Sequence, residues 1–163
     1  MLKTTMLTAV LVMAASGLAH AGGQEGSIGV GAEYQINGLG GASVNYDAGA
    51  FHVGGFLLFD DQDGANNTTF AVGGRFYYHL HSTAMADFGI GGRIGILSEH
   101  DQPPRENDTL TEVYIEPGVQ MRVFLAANVA ISASVGVSIG VVDASGVTIN
   151  GQTIGAGLHY YFF

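Results

Sequence analysis

The chain has 163 residues, no cysteine and a formal net charge of −9, with five basic residues against fourteen acidic ones. A chain this acidic lacks the basic surface that binds nucleic-acid phosphates or anionic membranes, so we expect no nucleic-acid partner. The absence of cysteine excludes disulfides, thiolate metal sites and a lipoprotein anchor, and no residue pattern predicts a cofactor or a metal site.

The first 21 residues have the features of a cleaved secretory signal. Lys3 gives a basic start, residues 6–13 form an apolar run, and Ala19-His20-Ala21 is a small-residue cleavage site. A membrane helix is the competing interpretation, but the apolar run is short for a span and no basic cluster follows it. We therefore predict a signal peptide over residues 1–21 and a single domain over residues 22–163.

The rest of the chain is dominated by alternation of apolar with small or polar residues, which predicts β-strands. The composition is 47% hydrophobic and 12% charged, yet no apolar run of the mature part is long enough for a membrane helix. The sixth segment has the clearest period of two, with Val113 and Ile115 on one face and Glu112, Tyr114 and Glu116 on the other. In chain order, the predicted strands cover residues 27–36, 42–47, 51–59, 69–80, 86–96, 112–125, 129–141 and 154–163. Pro117 cannot donate a ladder hydrogen bond, so we expect a bulge there.

The connections between these segments form two groups. The short ones are residues 47–50, 81–83 and 126–128. The other group begins with the short turn 37–40 and continues with the longer, acidic segments 60–67, 99–109 and 143–152. Short turns at one rim and longer loops at the other are typical of outer-membrane barrels, with both termini on the short-turn side.

The inward face of such a barrel would carry most of its charge. Eight strands enclose a space just wide enough to be filled by side chains, so opposite charges there should pair and plug the lumen. The alternative is a narrow gated path for ions or small solutes, with space left by inward glycines. The predicted lumen polar network consists of Glu33, Asp47, Arg75, Asp87, Arg93, Glu112, Glu116 and Arg122.

The long loops would form an acidic outer rim. Such a rim attracts cations, and divalent ions bridging to lipopolysaccharide are one candidate. The segment 60–64 has the spacing of acidic residues found in calcium loops. It lacks the later bidentate glutamate, so we interpret it as a solvated loop.

A search for a nucleophile with a base finds one pair, Ser98 and His100, which the alternation places on the lipid side. A Ser and a His two residues apart on the outside of a barrel resemble the site of an outer-membrane lipid A deacylase, with Glu106 or Glu112 as the acid. The order of the two residues is reversed here and no surrounding motif matches. We therefore predict no enzymatic activity and no catalytic residues.

The chain resembles the small OmpA/OmpX-like outer-membrane β-barrel superfamily over nearly all of residues 22–163. The resemblance rests on the cleavage site, the eight alternating segments, the stretch from Pro117 to Gly140 and the terminal GLHYYFF. It implies an all-β, eight-stranded antiparallel up-and-down transmembrane barrel in the outer membrane of a Gram-negative bacterium. Family members end on an outward aromatic signal that the barrel-assembly machinery reads. Its counterpart here is Leu158, Tyr160, Phe162 and Phe163.

From the resemblance we expect a monomeric, non-enzymatic integral barrel that contributes to envelope integrity or surface interaction. Its partners would be outer-membrane lipids, lipopolysaccharide and the barrel-assembly machinery. A small gated channel and a lipid A deacylase-like enzyme remain the alternatives.

Overall fold

The computed structural model describes residues 24–61, 68–100, 109–142 and 146–162, and these form a closed antiparallel barrel of eight strands. Each strand pairs with the next one in the chain, and the last pairs with the first. The predicted all-β, up-and-down barrel is therefore confirmed. The strands are β1 (Ile28–Gln35), β2 (Gly40–Asp47), β3 (Phe51–Asp61), β4 (Thr68–Ser82), β5 (Ala86–His100), β6 (Thr109–Ala126), β7 (Val129–Val142) and β8 (Gly146–Phe162). In these ranges no helix is long and apolar enough to cross a membrane.

The period of two places apolar side chains on the outer face of the barrel wall and polar or charged side chains on its inner face. On β6, Val113 and Ile115 are half exposed on the outside, whereas Glu116 and Arg122 are almost fully buried inside. The same arrangement recurs around the barrel, so most large apolar side chains lie outside and most charged side chains of the wall lie inside. This is the reverse of a water-soluble protein, and it is the pattern that a lipid-facing wall requires.

The barrel has a turn end and a loop end. At the turn end, strands are joined by residues 48–50, 83–85 and 127–128, close to the predicted positions. The first turn contains Gly49 at a positive φ of 78°, and the Gly49 N–H donates to Asp47 Oδ1 at 3.0 Å. The second is held by Thr83 Oγ1, which accepts from the Ala86 N–H at 2.9 Å. The other ends of the strands form the loop end.

The structure corrects two predictions about the loop end. The loop predicted at residues 143–152 is largely strand, because Val147 and Ile149 continue the apolar alternation and pair with Val141 and Ile139 on β7. The loop predicted at 99–109 is likewise shortened by β5 and β6. These strands therefore continue into segments whose polar and glycine residues had indicated loops.

The prediction of a bulge at Pro117 is also wrong. Pro117 pairs with Gly92 on β5, and the β5–β6 register does not shift on either side of it. Register shifts lie elsewhere, for example between β7 and β8 at Val137 and Ile139. On the other side of β6, Ile115 and Gly118 both pair with β7, and the register is the same at the two positions. Pro117 therefore lies in a gap of the β6–β7 ladder but adds no residue to the strand.

Candidate functional site in the barrel lumen

The lumen is the region where charged side chains converge, and it has three layers from the turn end to the loop end. We define the Arg122 cluster as Arg122, Asp47, Asp87 and Tyr161. The Arg93 cluster consists of Arg75, Arg93, Glu33 and Glu116. The apolar plug consists of Leu39, Phe56, Leu58, Ala71 and Tyr114.

The Arg122 cluster joins four strands through one guanidinium. Arg122 Nη2 contacts Asp47 Oδ2 at 2.5 Å and Asp87 Oδ2 at 2.6 Å. Arg122 Nε donates to Asp87 at 3.0 Å, and Nη1 donates to the Tyr161 hydroxyl at 3.0 Å. The guanidinium also lies 4.9 Å from the centre of the Phe124 ring. Each of its three nitrogens therefore has a partner, as a buried cation requires.

The Arg93 cluster is looser. Arg75 and Arg93 are directly opposite each other on β4 and β5, and like charges in that position repel. Glu33 lies between them, with its carboxylate 2.5 Å from Arg75 Nη1 and 3.8 Å from Arg93 Nη1. Arg93 Nε is 3.9 Å from Glu116, and its Nη2 donates to Ser134 Oγ at 3.0 Å. Both guanidinium groups also lie over the Phe56 ring, with centroid distances of 5.7 and 5.6 Å.

Several polar atoms of the Arg93 cluster have no hydrogen-bond partner within the described part of the chain. They are Glu33 Oε1, Arg75 Nε and Nη2, and Arg93 Nε and Nη1. Gaps of 3.8–3.9 Å between opposite charges are too long for direct hydrogen bonds. The centre of the lumen is therefore polar without being tightly bonded.

The apolar plug lies on the loop-end side of these charges. Leu39 belongs to the turn between β1 and β2, and its side chain packs inward against Phe56, Leu58 and Ala71. Leu97 packs against the same group. A polar cavity of about 90 Å³ lies beside the plug, with Glu112, Glu116 and Gln35 in its lining.

Histidines towards the turn end add three further hydrogen bonds. His79 Nδ1 donates to the Gly49 carbonyl at 2.8 Å, which leaves His79 Nε2 to accept from His52 Nδ1 at 2.8 Å when both rings are neutral. His159 Nε2 is hydrogen-bonded to Ser43 Oγ at 2.7 Å. In the described ranges no group of three or more His, Cys, Asp or Glu side chains could hold a metal ion.

The structure places all eight residues of the predicted lumen network inside the barrel, each with at most 9% of its surface exposed. Seven of them belong to the Arg122 or Arg93 clusters, and Glu112 lines the cavity beside the plug. Sequence reasoning missed Leu39 and Phe124 as interior residues. A single large apolar residue within Asn37-Gly38-Leu39-Gly40 was the signal for the first, and continued alternation along β6 was the signal for the second.

The described residues do not bring Ser98 and Glu112 together as a deacylase site would require. Ser98 shares the outward face of β5 with Ile94 and Ile96, whereas Glu112 is buried in the lumen on the other side of the wall. Glu112 therefore cannot orient a base beside Ser98. The side chain of His100 and the whole of Glu106 lie outside the described residues.

Comparisons with known proteins agree with this geometry. Neither a protein-family model nor a curated protein matches the chain in sequence. In structure it is similar to the N-terminal β-barrel domain of Pseudomonas aeruginosa OprF, with a TM-score of 0.68 and 12% sequence identity, covering 86% of this chain and 99% of that one. The chain has the OmpA-like barrel fold. The resemblance expected from the sequence is thus confirmed at the level of the fold.

Proposed function

We propose that the protein is an integral outer-membrane barrel with a plugged lumen, which contributes without enzymatic activity to envelope integrity or surface interaction. The observation that carries this proposal is the inverted distribution of chemistry, with apolar side chains exposed outside and ion pairs buried inside. Only a hydrocarbon environment makes both faces favourable at once.

The outer face has the layout of a membrane-spanning surface. Aliphatic side chains predominate in its middle, and most exposed aromatic side chains lie towards its two ends, where the two membrane interfaces would lie. Those towards the turn end are Tyr46, Tyr78, Phe88, Tyr160 and Phe162, and those towards the loop end are Tyr34, Phe59 and Phe70. The turn end would then face the periplasm and the loop end the exterior.

The export and assembly features support the same compartment. The predicted signal peptide lies outside the described residues, as does Phe163. Leu158, Tyr160 and Phe162 are exposed on the outer face of β8, where the barrel-assembly machinery could read them. Outer-membrane lipids and lipopolysaccharide are the proposed surroundings of a monomer.

The lipid-facing surface can be tested with tryptophan, because the chain contains none. The substitutions Phe76→Trp and Tyr77→Trp each introduce a single tryptophan, at adjacent outward and inward positions of β4. We expect brominated phospholipids to quench the fluorescence of the Phe76→Trp variant strongly and that of the Tyr77→Trp variant weakly, once gel mobility has verified that both variants fold. Equal, weak quenching of both folded variants would contradict the membrane assignment.

A small gated channel is the second candidate. It is favoured by the 90 Å³ polar cavity at the loop end and by the unpartnered nitrogens of the Arg93 cluster. The plug and the Arg122 cluster both obstruct that path, so we expect planar bilayers containing refolded protein to show no steady conductance. Discrete openings in the wild type would favour the channel instead.

A further inference from the structure

The barrel closes at the seam between β1 and β8. This ladder runs from the pair Ile28–Phe162 to the pair Gln35–Gly155. It joins strands from the two ends of the domain, so its formation has the largest loop-closure cost of any neighbouring pair. β1 is also only eight residues long, which limits how many backbone hydrogen bonds can hold the seam.

The inner face of β1 lets side chains of β8 reach across it. Gly29 is paired with Tyr161, and Gly31 with His159. A Cβ on Gly29 would lie 2.7 Å from the Tyr161 ring, closer than real side chains approach. The space that a side chain at Gly29 would need is therefore taken by a residue of the last strand.

Two links connect β8 with β2, the strand beyond β1. His159 Nε2 is hydrogen-bonded to Ser43 Oγ at 2.7 Å. The Tyr161 hydroxyl accepts from Arg122 Nη1 at 3.0 Å, and Arg122 Nη2 contacts Asp47 at 2.5 Å. Ser43 and Asp47 both lie on β2. Opening the seam would separate His159 from Ser43, and the Tyr161–Arg122 pair from Asp47 on β2.

We propose that Tyr161, Arg122 and Asp47, assisted by His159 and Ser43, form an internal latch that holds the first and last strands together. The two faces of β8 then have separate roles. The outward face, with Leu158, Tyr160 and Phe162, is the assembly signal proposed above, whereas the inward face closes the barrel. The latch depends on the closed fold and not on the cellular role of the protein.

A matched pair of substitutions tests the latch. Tyr161→Phe and Tyr160→Phe each remove one hydroxyl from adjacent residues of β8, but only the first hydroxyl belongs to the latch. Using purified protein in detergent, we would measure the temperature at which the compact gel band converts to the unfolded band. Loss of a hydrogen bond to a charged group should lower this temperature by about 5 °C in Tyr161→Phe. We expect a change of under about 1 °C in Tyr160→Phe, and a comparable fall in both variants would overturn the proposal.

A disulfide between β1 and β8 distinguishes a latch from a local stabilising contact, because it holds the two strands together without the latch. Ala32 and Leu158 are directly paired on the outer face, and the chain has no native cysteine to interfere with Ala32→Cys and Leu158→Cys. When this disulfide is oxidised, the effect of Tyr161→Phe should fall to well below half of its value under reducing conditions. An undiminished effect would show that Tyr161 acts only locally. Failure of the two thiols to oxidise would show that the seam is not paired in this register, and either outcome would overturn the proposal.

The second link supplies an independent variant. Ser43→Ala removes the partner of His159 without creating a buried charge, and it should lower the transition temperature by about 2 °C under reducing conditions. The oxidised seam should suppress this change as well. Equal losses in the oxidised and reduced states would contradict a role of this contact in closure.

Discussion

The Arg122 and Arg93 clusters contain the same kinds of charged side chain inside one barrel, but they differ in how closely those side chains approach one another. Arg122 has partners at 2.5–3.0 Å on all three nitrogens, drawn from β2, β5 and β8. Arg93 donates to Ser134 at 3.0 Å, whereas its two carboxylate neighbours are 3.8 and 3.9 Å away. One cluster is a fully bonded junction, and the other is a polar layer with unfilled hydrogen-bonding capacity.

This difference indicates that the interior of the barrel does not need uniform packing. Near the turn end, where the seam must be held, a complete set of short contacts fixes strands that are distant in sequence. At the centre, loose pairs are tolerated because the apolar plug covers them on the loop side. Stability should therefore be concentrated at the turn end of the barrel.

The largest expected effect comes from removing the cation of the bonded junction. Arg122→Met leaves Asp47 and Asp87 buried without their cation and should lower the free energy of unfolding by about 3–5 kcal/mol. Urea unfolding in detergent, followed by gel mobility, measures this loss. Arg122→Lys retains the charge but not the forked geometry, so it should cost less than Arg122→Met but still lower the stability. A Lys variant as stable as the wild type would contradict the importance of the multiple contacts.

The plug should come next. Leu39→Ala removes most of a buried side chain from the contact with Phe56 and Leu58, and it should cost about 2–3 kcal/mol in the same assay. Ile36→Ala, at an exposed outward position nearby, serves as the control and should cost less than about 1 kcal/mol. A smaller effect at Leu39 than at Ile36 would show that the plug does not stabilise the loop end.

A smaller loss is expected in the loose cluster. Arg93→Met removes a cation whose carboxylate contacts are already long, and Glu33 keeps its 2.5 Å contact with Arg75. The variant also relieves the repulsion between Arg75 and Arg93, so we expect a loss of about 1–2 kcal/mol. A loss equal to that of Arg122→Met would remove the distinction between the two clusters.

Salt should have the smallest effect. The side chains of the Arg122 cluster are almost completely inaccessible to solvent, so mobile ions cannot screen their attraction. Raising sodium chloride from about 0.1 to about 1 M should change the unfolding free energy by less than about 0.5 kcal/mol. A large decrease, specific to proteins that retain Arg122, would indicate that the cluster is open to water.

The sequence predicted the barrel and the faces of its strands because both follow from a local period of two. It also predicted which charges face inward, since eight strands leave them one common interior. It could not predict that Arg122 takes two aspartates while Arg75 and Arg93 share Glu33, because partner choice depends on strand register and stagger. Leu39 was missed because the direction of a turn residue is decided by the space available in the lumen and not by periodicity.

The most direct test of the membrane-barrel account is the gel mobility of the protein in outer membranes separated on a density gradient, with unboiled and boiled samples compared. We predict that the chain is found in the outer-membrane fraction, and that its unboiled band migrates ahead of the boiled one because the closed barrel resists detergent. A chain recovered in the soluble periplasmic fraction, with no difference between the two samples, would contradict the account.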